Sequence, residues 1–502
     1  MSSIEERYAK QIVGRLECLD RVVIRGTLPG VCYAQGMTSW LYEHKIRIFD
    51  YLKVVEPLRD KIRQNSEELA AKHGMEVTYL KKKIRKEAHV QKILKERGSH
   101  SGLVCILSAV ETCPCYKPWH NKQTGQNYVQ GDTAKCLHYY FYFIDRNFGL
   151  CYLRVPTWAP FCLQIYFNGH DYLARQLDAK NISYTMQDNA FLVMSDWKRA
   201  QRIADTFPVR KLHKLLTRIA KRFCPIHGTF TQDYHWSLMQ VEFASDLVFR
   251  RRQDLAPLYE HLRQVAIQAV KAENVSTFLG RKLHGNFAGE LTGRLQTRIQ
   301  GTCIKHWMDQ KAGLKMYDKH GLILRLETTV NDVSFFKHYR EVEHRDGSTS
   351  FKQAPLRKTI YSLPTLMKLM KASNGRYRQF LSEMDDPTAG LKQVQRIAEP
   401  AKERGRNQRG FNLLSREDHT LFVAIARGEF HIQGFTNKAL RRLIPHNSGS
   451  QMSRLLKRLR VHGLIKKVGR SYKYYFTKLG RATIAAALKL REFIVVPALA
   501  GS

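Results

Sequence analysis

The stretch MSRLLKRLRVHGLIKKVGRSYKYYFTKLG, residues 452–480, constrains what this chain can fold into more than any other. Met452, Leu455, Leu456 and Leu459 recur at i, i+3, i+4 and i+7, so a 3.6-residue period gathers them on one face of a helix running from about Ser450 to His462. Gly463 stands where such a helix stops. Beyond it, Leu464, Ile465 and Val468 lead into Gly469, and Tyr472, Tyr474 and Phe476 lead out, the pattern of strand, tight turn and strand.

Two further helices precede this stretch. Ser415 is placed to cap SREDHTLFVAIARG, with Glu417 and Asp418 in its first turn, and Thr436 to cap TNKALRRLI, whose Ala439, Leu440, Leu443 and Ile444 form one apolar face. A turn at residues 445–449 separates that helix from the next. A last helix, residues 479–493, closes the unit, with Ile484, Leu488 and, just past its end, Val495 available to a core or to a dimer contact. Away from the buried stripe lie Ser450, Gln451, Arg454, Lys457 and Arg458, residue types that hydrogen-bond base edges and phosphates. Lys466, Lys467, Arg470 and Lys473 line the hairpin.

Helix, short helix, turn, third helix and basic hairpin is the order of a winged helix-turn-helix. The segment LLKRLRVHGLIKKVGRSYKYYFTKLGR closely resembles its counterpart in MarR-like bacterial regulators. That resemblance implies a third helix in the major groove and a wing along the backbone or minor groove. It makes Gln451, Arg454 and Arg458 readers of bases or phosphates, and Lys467, Arg470 and Lys473 wing contacts. It extends over only about 90 of the 502 residues.

Charge points the same way. Lys and Arg number 83 against 44 Asp and Glu, a formal net charge of +39 on a chain whose 43% hydrophobic content is ordinary for a folded protein. A polyanion is the expected partner, DNA first and RNA second, because neutralised phosphates release counterions whatever the sequence. No run of about 18 apolar residues could span a bilayer. The N-terminus MSSIEERYAKQIVGRLE lacks the apolar centre of a signal peptide, so the expected location is the cytoplasm. Ten cysteines without a regular framework fit a reducing compartment in which thiols are buried as small hydrophobes.

The fold class expected is α/β (α+β) multidomain, with the C-terminal winged helix as one domain. A polar, basic boundary at residues 398–415 separates residues 415–502 from the rest. Before it we expect a basic α/β-to-helical region over 1–98, a sheet domain over 99–210, and a mainly helical region over 211–400 carrying a hairpin near 314–330 that turns at residues 318–321. Within the first region LDRVVIRGTL and IRIFDY read as strands, and GMTSWLYEHK and residues 56–97 as helices. Lys81, Lys82, Lys83, Arg85 and Lys86 form either a solvated helix face or a phosphate-tracking surface. In the second, GLVCILSAV, KCLHYYFYFID, GLCYLRVPTW and SYTMQDNAFLVM read as strands and FCLQIYFNGHDYLARQL as a helix. The stretches LCYLRVPTWAPFCLQIYFNGHDYLARQL and LKMYDKHGLILRLETTVND resemble an uncharacterised bacterial protein family. This implies no activity, only that residues 1–400 travel with the winged helix.

Residues for chemistry are harder to find. No His-x-His occurs, which removes the metal-holding pair of rolling-circle initiators and leaves Tyr317 as structural. Two-metal nucleases need carboxylates from separate elements, and Asp145, Asp188 and Glu327 each lie in or beside an expected strand. Glu327 reads equally as a cross-strand ion pair with Arg325. Asp20 with Glu43 and Lys45 loosely fits a restriction-type arrangement, although Glu43 falls in a helix. Cys113, Cys115, His120, Cys136 and His138 are zinc-ligand types that would clip the loop CPCYKPWHNKQTGQNYVQGDTAKC, with Cys136 equally well explained as core. Tyr116, Lys117, Trp119, His120 and Lys122 in that loop either grip an unstacked single strand or pack over a sheet.

The expectation is therefore a duplex-DNA-binding protein, a transcriptional regulator or mobile-element protein that needs no cofactor and acts as a possible homodimer. The alternative is a metal-dependent nuclease, recombinase or replication protein of a mobile element, requiring a divalent metal, or an RNA-binding accessory protein.

Overall fold

The structure is a computed structural model that describes residues 3–81, 85–98, 100–226, 228–230, 232–281, 291–298, 301–385, 394–403, 405–412, 415–427, 430, 434–445, 447–469 and 472–491. It is mixed α/β, and the chain divides into two compact units. One comprises Leu16–Ala244 and Thr329–Lys368, the other Met1–Arg15, Ser245–Thr328 and Leu369–Ser502. Residues 99–210 fall wholly in the first unit and 415–502 wholly in the second, whereas 1–98 and 211–400 are divided between them.

The first unit is built on a mixed sheet. Its strands are β1 (Ile12–Thr27), β2 (Val77–Tyr79), β3 (Gly102–His120), β4 (Asn127–Asp145), β5 (Gly149–Pro156), β6 (Leu163–Asn168) and β9 (His235–Phe249), in the order β9-β1-β6-β5-β4-β3-β2. The β3/β4, β4/β5, β5/β6 and β1/β6 pairs are antiparallel, and β2 runs parallel to β3. Strands β7 (Tyr184–Gln187) and β8 (Ala190–Met194) form a separate hairpin, as do β14 (Lys337–Glu343) and β15 (Thr349–Pro355).

Aromatic and β-branched residues favour these strands because both fit a pleated, half-buried surface. Val104, Leu107, Tyr140, Tyr142 and Ile144 pack with Leu80 and Val90 into one core. Leu16 and Cys18 pack with Leu173, Leu177 and Phe191 into another. Asn168 ends β6 and caps the helix Gly169–Asp178, its side chain accepting from the His170 amide at 2.7 Å. The next residue must be glycine, because a Cβ there would lie 2.2 Å from the Leu19 carbonyl oxygen.

Several expected elements differ. IRIFDY is a 3₁₀ turn, Ile48–Asp50, running into the helix Tyr51–Lys72. FCLQIYFNGHDYLARQL is half strand and half helix, divided at the Asn168 cap. SYTMQDNAFLVM doubles back at Asp188, which has φ of +51°. The expected loop 113–136 is the far half of the β3/β4 hairpin, paired as far as His120 with Asn127. Strand β9 lies in a region expected to be mainly helical; its apolar residues are buried on both sides towards the end, so strand alternation is hidden there.

In the second unit β10 (Leu291–Arg298), β11 (Gly301–Met308), β12 (Ala312–Lys319) and β13 (Ile323–Val330) are successive neighbours. The expected hairpin is β12/β13, with left-handed residues His320 and Gly321 at its turn. Arg325 is fully buried and its guanidinium grips Asp246 through two bonds of 2.7 and 2.6 Å. No helix among the described residues is long and apolar enough to cross a membrane.

Residues 415–490 of this unit hold the helices Arg416–Ile425, Asn437–Arg441, Gly449–Val461 and Lys478–Leu490. Short strands β16 (Ala401–Glu403) and β17 (Arg406–Gln408) pair just before them. Strands β18 (Phe435–Thr436), β19 (Ile465–Lys467) and β20 (Lys473–Phe476) form a three-stranded sheet in the order β18-β20-β19. Met452, Leu456 and Leu459 enter one core with Leu421, Phe422, Leu440, Phe435, Phe476 and Ile484, and Leu455 packs at its margin.

Candidate nucleic-acid interface

The Gly449–Val461 helix is capped by Ser448 and begins one residue earlier than the spacing predicts. Ser448 and Gln451 form a reciprocal capping box: the Ser448 hydroxyl accepts from the Gln451 amide at 3.2 Å, and Gln451 Oε1 accepts from the Ser448 amide at 2.7 Å. The Gln451 side-chain carbonyl thus serves the helix start, while the residue itself stays exposed. Asn437 ties the preceding helix to this one, donating to the Gly449 carbonyl at 3.0 Å and to the Ser453 hydroxyl at 2.9 Å.

Arg458, expected as a reader, is not on the outward face. Its side chain is buried, its guanidinium meets both oxygens of Asp418 at 2.7 and 2.8 Å, and it donates to the carbonyls of Arg409 and Gly410. It also lies over the Phe411 ring at 3.8 Å. A bidentate, stacked guanidinium has spent its planar fork on the fold and offers nothing outward. The acidic first turn expected to complement a helix dipole therefore supplies a buried counterion: Asp418 also accepts from the Asn412 amide at 2.9 Å.

What remains outward is smaller and well defined. Ser450 and Arg454 are exposed on the Gly449–Val461 helix, and Lys457 is partly exposed, 3.9 Å from Glu403. On the hairpin Lys466 and Lys467 are exposed and Lys473 is half-buried, with Tyr472 projecting at 82% exposure under the Lys467 ammonium. Arg470 and Val495 lie outside the described residues, as do Lys82 and Lys83 of the N-terminal basic run. Lys438, Arg441 and Arg442 are exposed in and just after the short helix and were not singled out from the sequence, although the doublet in KALRRLI was a visible signal.

The expected carboxylates are scattered in role. Asp145 accepts from the amides of Asn147 and Phe148 and from Arg218, which makes it the organiser of the β4/β5 turn. Asp188 is a turn residue. Glu327, 2% exposed, accepts from Lys315 and from the Tyr317 hydroxyl at 2.7 Å, so its ion-pair partner among these is Lys315, while Arg325 takes Asp246. Asp20 lacks the strand-borne glutamate of a restriction-type set, since Glu43 ends a helix. In the first unit it is instead buried in β1, accepting from Asn168 and Asn189, with a carboxylate oxygen within 4.8 Å of one from Glu242 on β9. Glu242 was missed; a charged residue inside an apolar strand, as in MQVEFASDLVF, was the signal available.

Three of the five zinc-ligand types converge. Cys113 and Cys136 sulfurs are 3.0 Å apart and His138 lies beside Cys136, whereas Cys115 stands outside the cluster. On the same hairpin Glu111 accepts from Lys86, from the Tyr140 hydroxyl at 2.7 Å and from Arg154 at 3.0 Å. Burial opposes its charge, but Lys86, Tyr140 and Arg154 outweigh it and hold the carboxyl at about 2. Of the aromatics there, Tyr116 is packed, donating to the Val31 carbonyl at 2.9 Å, while Trp119 is exposed. Comparison with protein-family models, curated proteins and solved structures finds no match.

Proposed function

We propose that residues 415–490 are a winged helix-turn-helix that binds duplex DNA with sequence preference, in the service of a transcriptional regulator or a mobile-element protein. The observation that carries this reading is the division of the Gly449–Val461 helix, whose apolar stripe is buried while Ser450 and Arg454 face outward. A three-stranded sheet whose β19/β20 hairpin displays Lys466, Lys467 and Tyr472 follows it in the chain. In this arrangement Arg454 reads base edges from the major groove, and the hairpin lysines neutralise phosphates alongside.

The test is a gel-shift selection from random duplexes, followed by a salt titration. Arg454→Ala should weaken the selected site and leave non-specific binding nearly unchanged; Lys466→Ala and Lys467→Ala should weaken all duplexes and lower the salt slope by about 1 each. Absence of any duplex binding, or variants that behave alike on selected and random DNA, would sink the reading.

The Asp20–Glu242 pair, with Asp20 buried and Glu242 half-buried, favours a second reading, metal-dependent cleavage, because paired carboxylates are what hold divalent cations against a phosphodiester. Incubation of labelled DNA and RNA with Mg²⁺ or Mn²⁺ should then give products that Asp20→Asn and Glu242→Gln abolish. Intact nucleic acid in every lane would remove it.

A further inference from the structure

We propose that Cys113, Cys136 and His138 form an open three-ligand site for a thiophilic divalent cation, with Zn²⁺ as the probe. This inference is independent of the DNA-binding reading. The register of β3 against β4 builds the site: Cys113 pairs with Ala134, so Cys136 is its diagonal neighbour, and His138 follows two residues on, on the same face as Cys136. The sulfurs are 3.0 Å apart, and the His138 ring nitrogens lie 3.7 and 3.9 Å from the Cys136 sulfur. Two sulfurs at about 2.3 Å from a tetrahedral cation stand about 3.8 Å apart, a small opening of the present pair.

The surroundings suit a metal ligand set. His138 is fully buried, and its Nδ1 sits 3.1 Å from the Cys136 carbonyl, so an Nδ1–H donated there leaves the Nε2 lone pair for the cation. Thr157 pins the strand between the ligands by donating both its amide and its hydroxyl to the Leu137 carbonyl, at 3.0 and 2.9 Å. A cavity of about 220 Å³ borders Cys113 and His138 and is also lined by Arg154, Cys162 and Gln164, which gives a fourth ligand, water or a small anion, room to reach the cation. Two thiolates balance a divalent charge; binding releases both thiol protons to solvent, and the sulfurs keep their oxidation state.

Full-length protein, reduced and stripped with a chelator, is titrated with Co²⁺ and then Zn²⁺. One Co²⁺ per chain should bind with a thiolate-to-cobalt charge-transfer band and the visible bands of a four-coordinate ion, and Zn²⁺ should bleach both. Cys113→Ser and Cys136→Ser should abolish the charge-transfer band, and Cys115→Ser should retain it. Because a serine variant could misfold, alkylation of the wild-type protein is followed by mass spectrometry in parallel: Zn²⁺ should protect Cys113 and Cys136 and leave Cys115 unchanged. No thiolate band, an equal loss in Cys115→Ser, or unprotected Cys113 and Cys136 would overturn the proposal.

Discussion

Two regions of this protein handle positive charge in opposite ways. In residues 415–490, one arginine, Arg458, is matched to one buried carboxylate, and other cations such as Arg454, Lys466 and Lys467 face solvent. On the β3/β4 hairpin of the other unit, Lys86, Arg154 and a tyrosine converge on a single Glu111 beside the Cys113, Cys136 and His138 cluster. A net charge of +39 is therefore no measure of interface. Where a cation is buried it organises the fold, and only where it stays in water can it exchange solvent for phosphate.

The sharpest way to break this comparison is at the buried pair. Asp418→Ala should cost about 3–5 kcal/mol, because it strands the Arg458 guanidinium without its counterion. Native-state hydrogen exchange of the Gly449–Val461 helix reads the loss. Arg454→Ala should change the same protection by less than about 0.5 kcal/mol, as expected of an exposed side chain. If both variants lost equal protection, the division between structural and outward arginines would fail.

Gly480→Ala comes next, at about 2–3 kcal/mol, since a Cβ there would lie 1.8 Å from the Leu464 carbonyl oxygen and force the Lys478–Leu490 helix away from its neighbour. Urea denaturation measures it, and an unchanged midpoint would show that the helix start yields freely.

Glu111 sharpens the other side of the comparison. Its carboxyl is held at about 2, against 4.5 unperturbed, so its contribution is complete above about 4.5 and is lost as pH falls towards 2. Allowing for partial exposure, this is about 2 kcal/mol. Glu111→Gln should flatten stability over that window. A variant that tracked the parent's acid transition would show that Lys86 and Arg154 do not hold the charge.

The smallest effect belongs to the β19/β20 hairpin. Lys466→Ala should leave the fold unaltered and weaken duplex binding by about 1 kcal/mol or less at moderate salt, with the difference vanishing as salt rises. A deficit that persisted at high salt would place Lys466 in a base contact.

How much of this was legible in the sequence follows range. The i, i+3, i+4, i+7 stripe, the Gly463 stop and the Thr436 cap are local patterns, and the helices, short strands and buried residues of 435–490 follow them closely. Strand β9 was not legible, since a strand buried on both faces loses the alternation that identifies it. The Cys113, Cys136 and His138 grouping was half legible: the residue types were visible, but only the pairing of Cys113 with Ala134 tells Cys136 from Cys115 as the neighbour.

The sequence by itself determined the secondary structure of the C-terminal segment and the basic character of the whole chain, because periodicity and charge depend on near neighbours alone. Only the tertiary structure decided which cations are available. Asp418 and Arg458 are 40 residues apart and Arg325 and Asp246 are 79, and no local pattern says which carboxylate will close on which guanidinium when the chain folds. Burial makes that choice, since an unpaired charge taken out of water is too costly to keep.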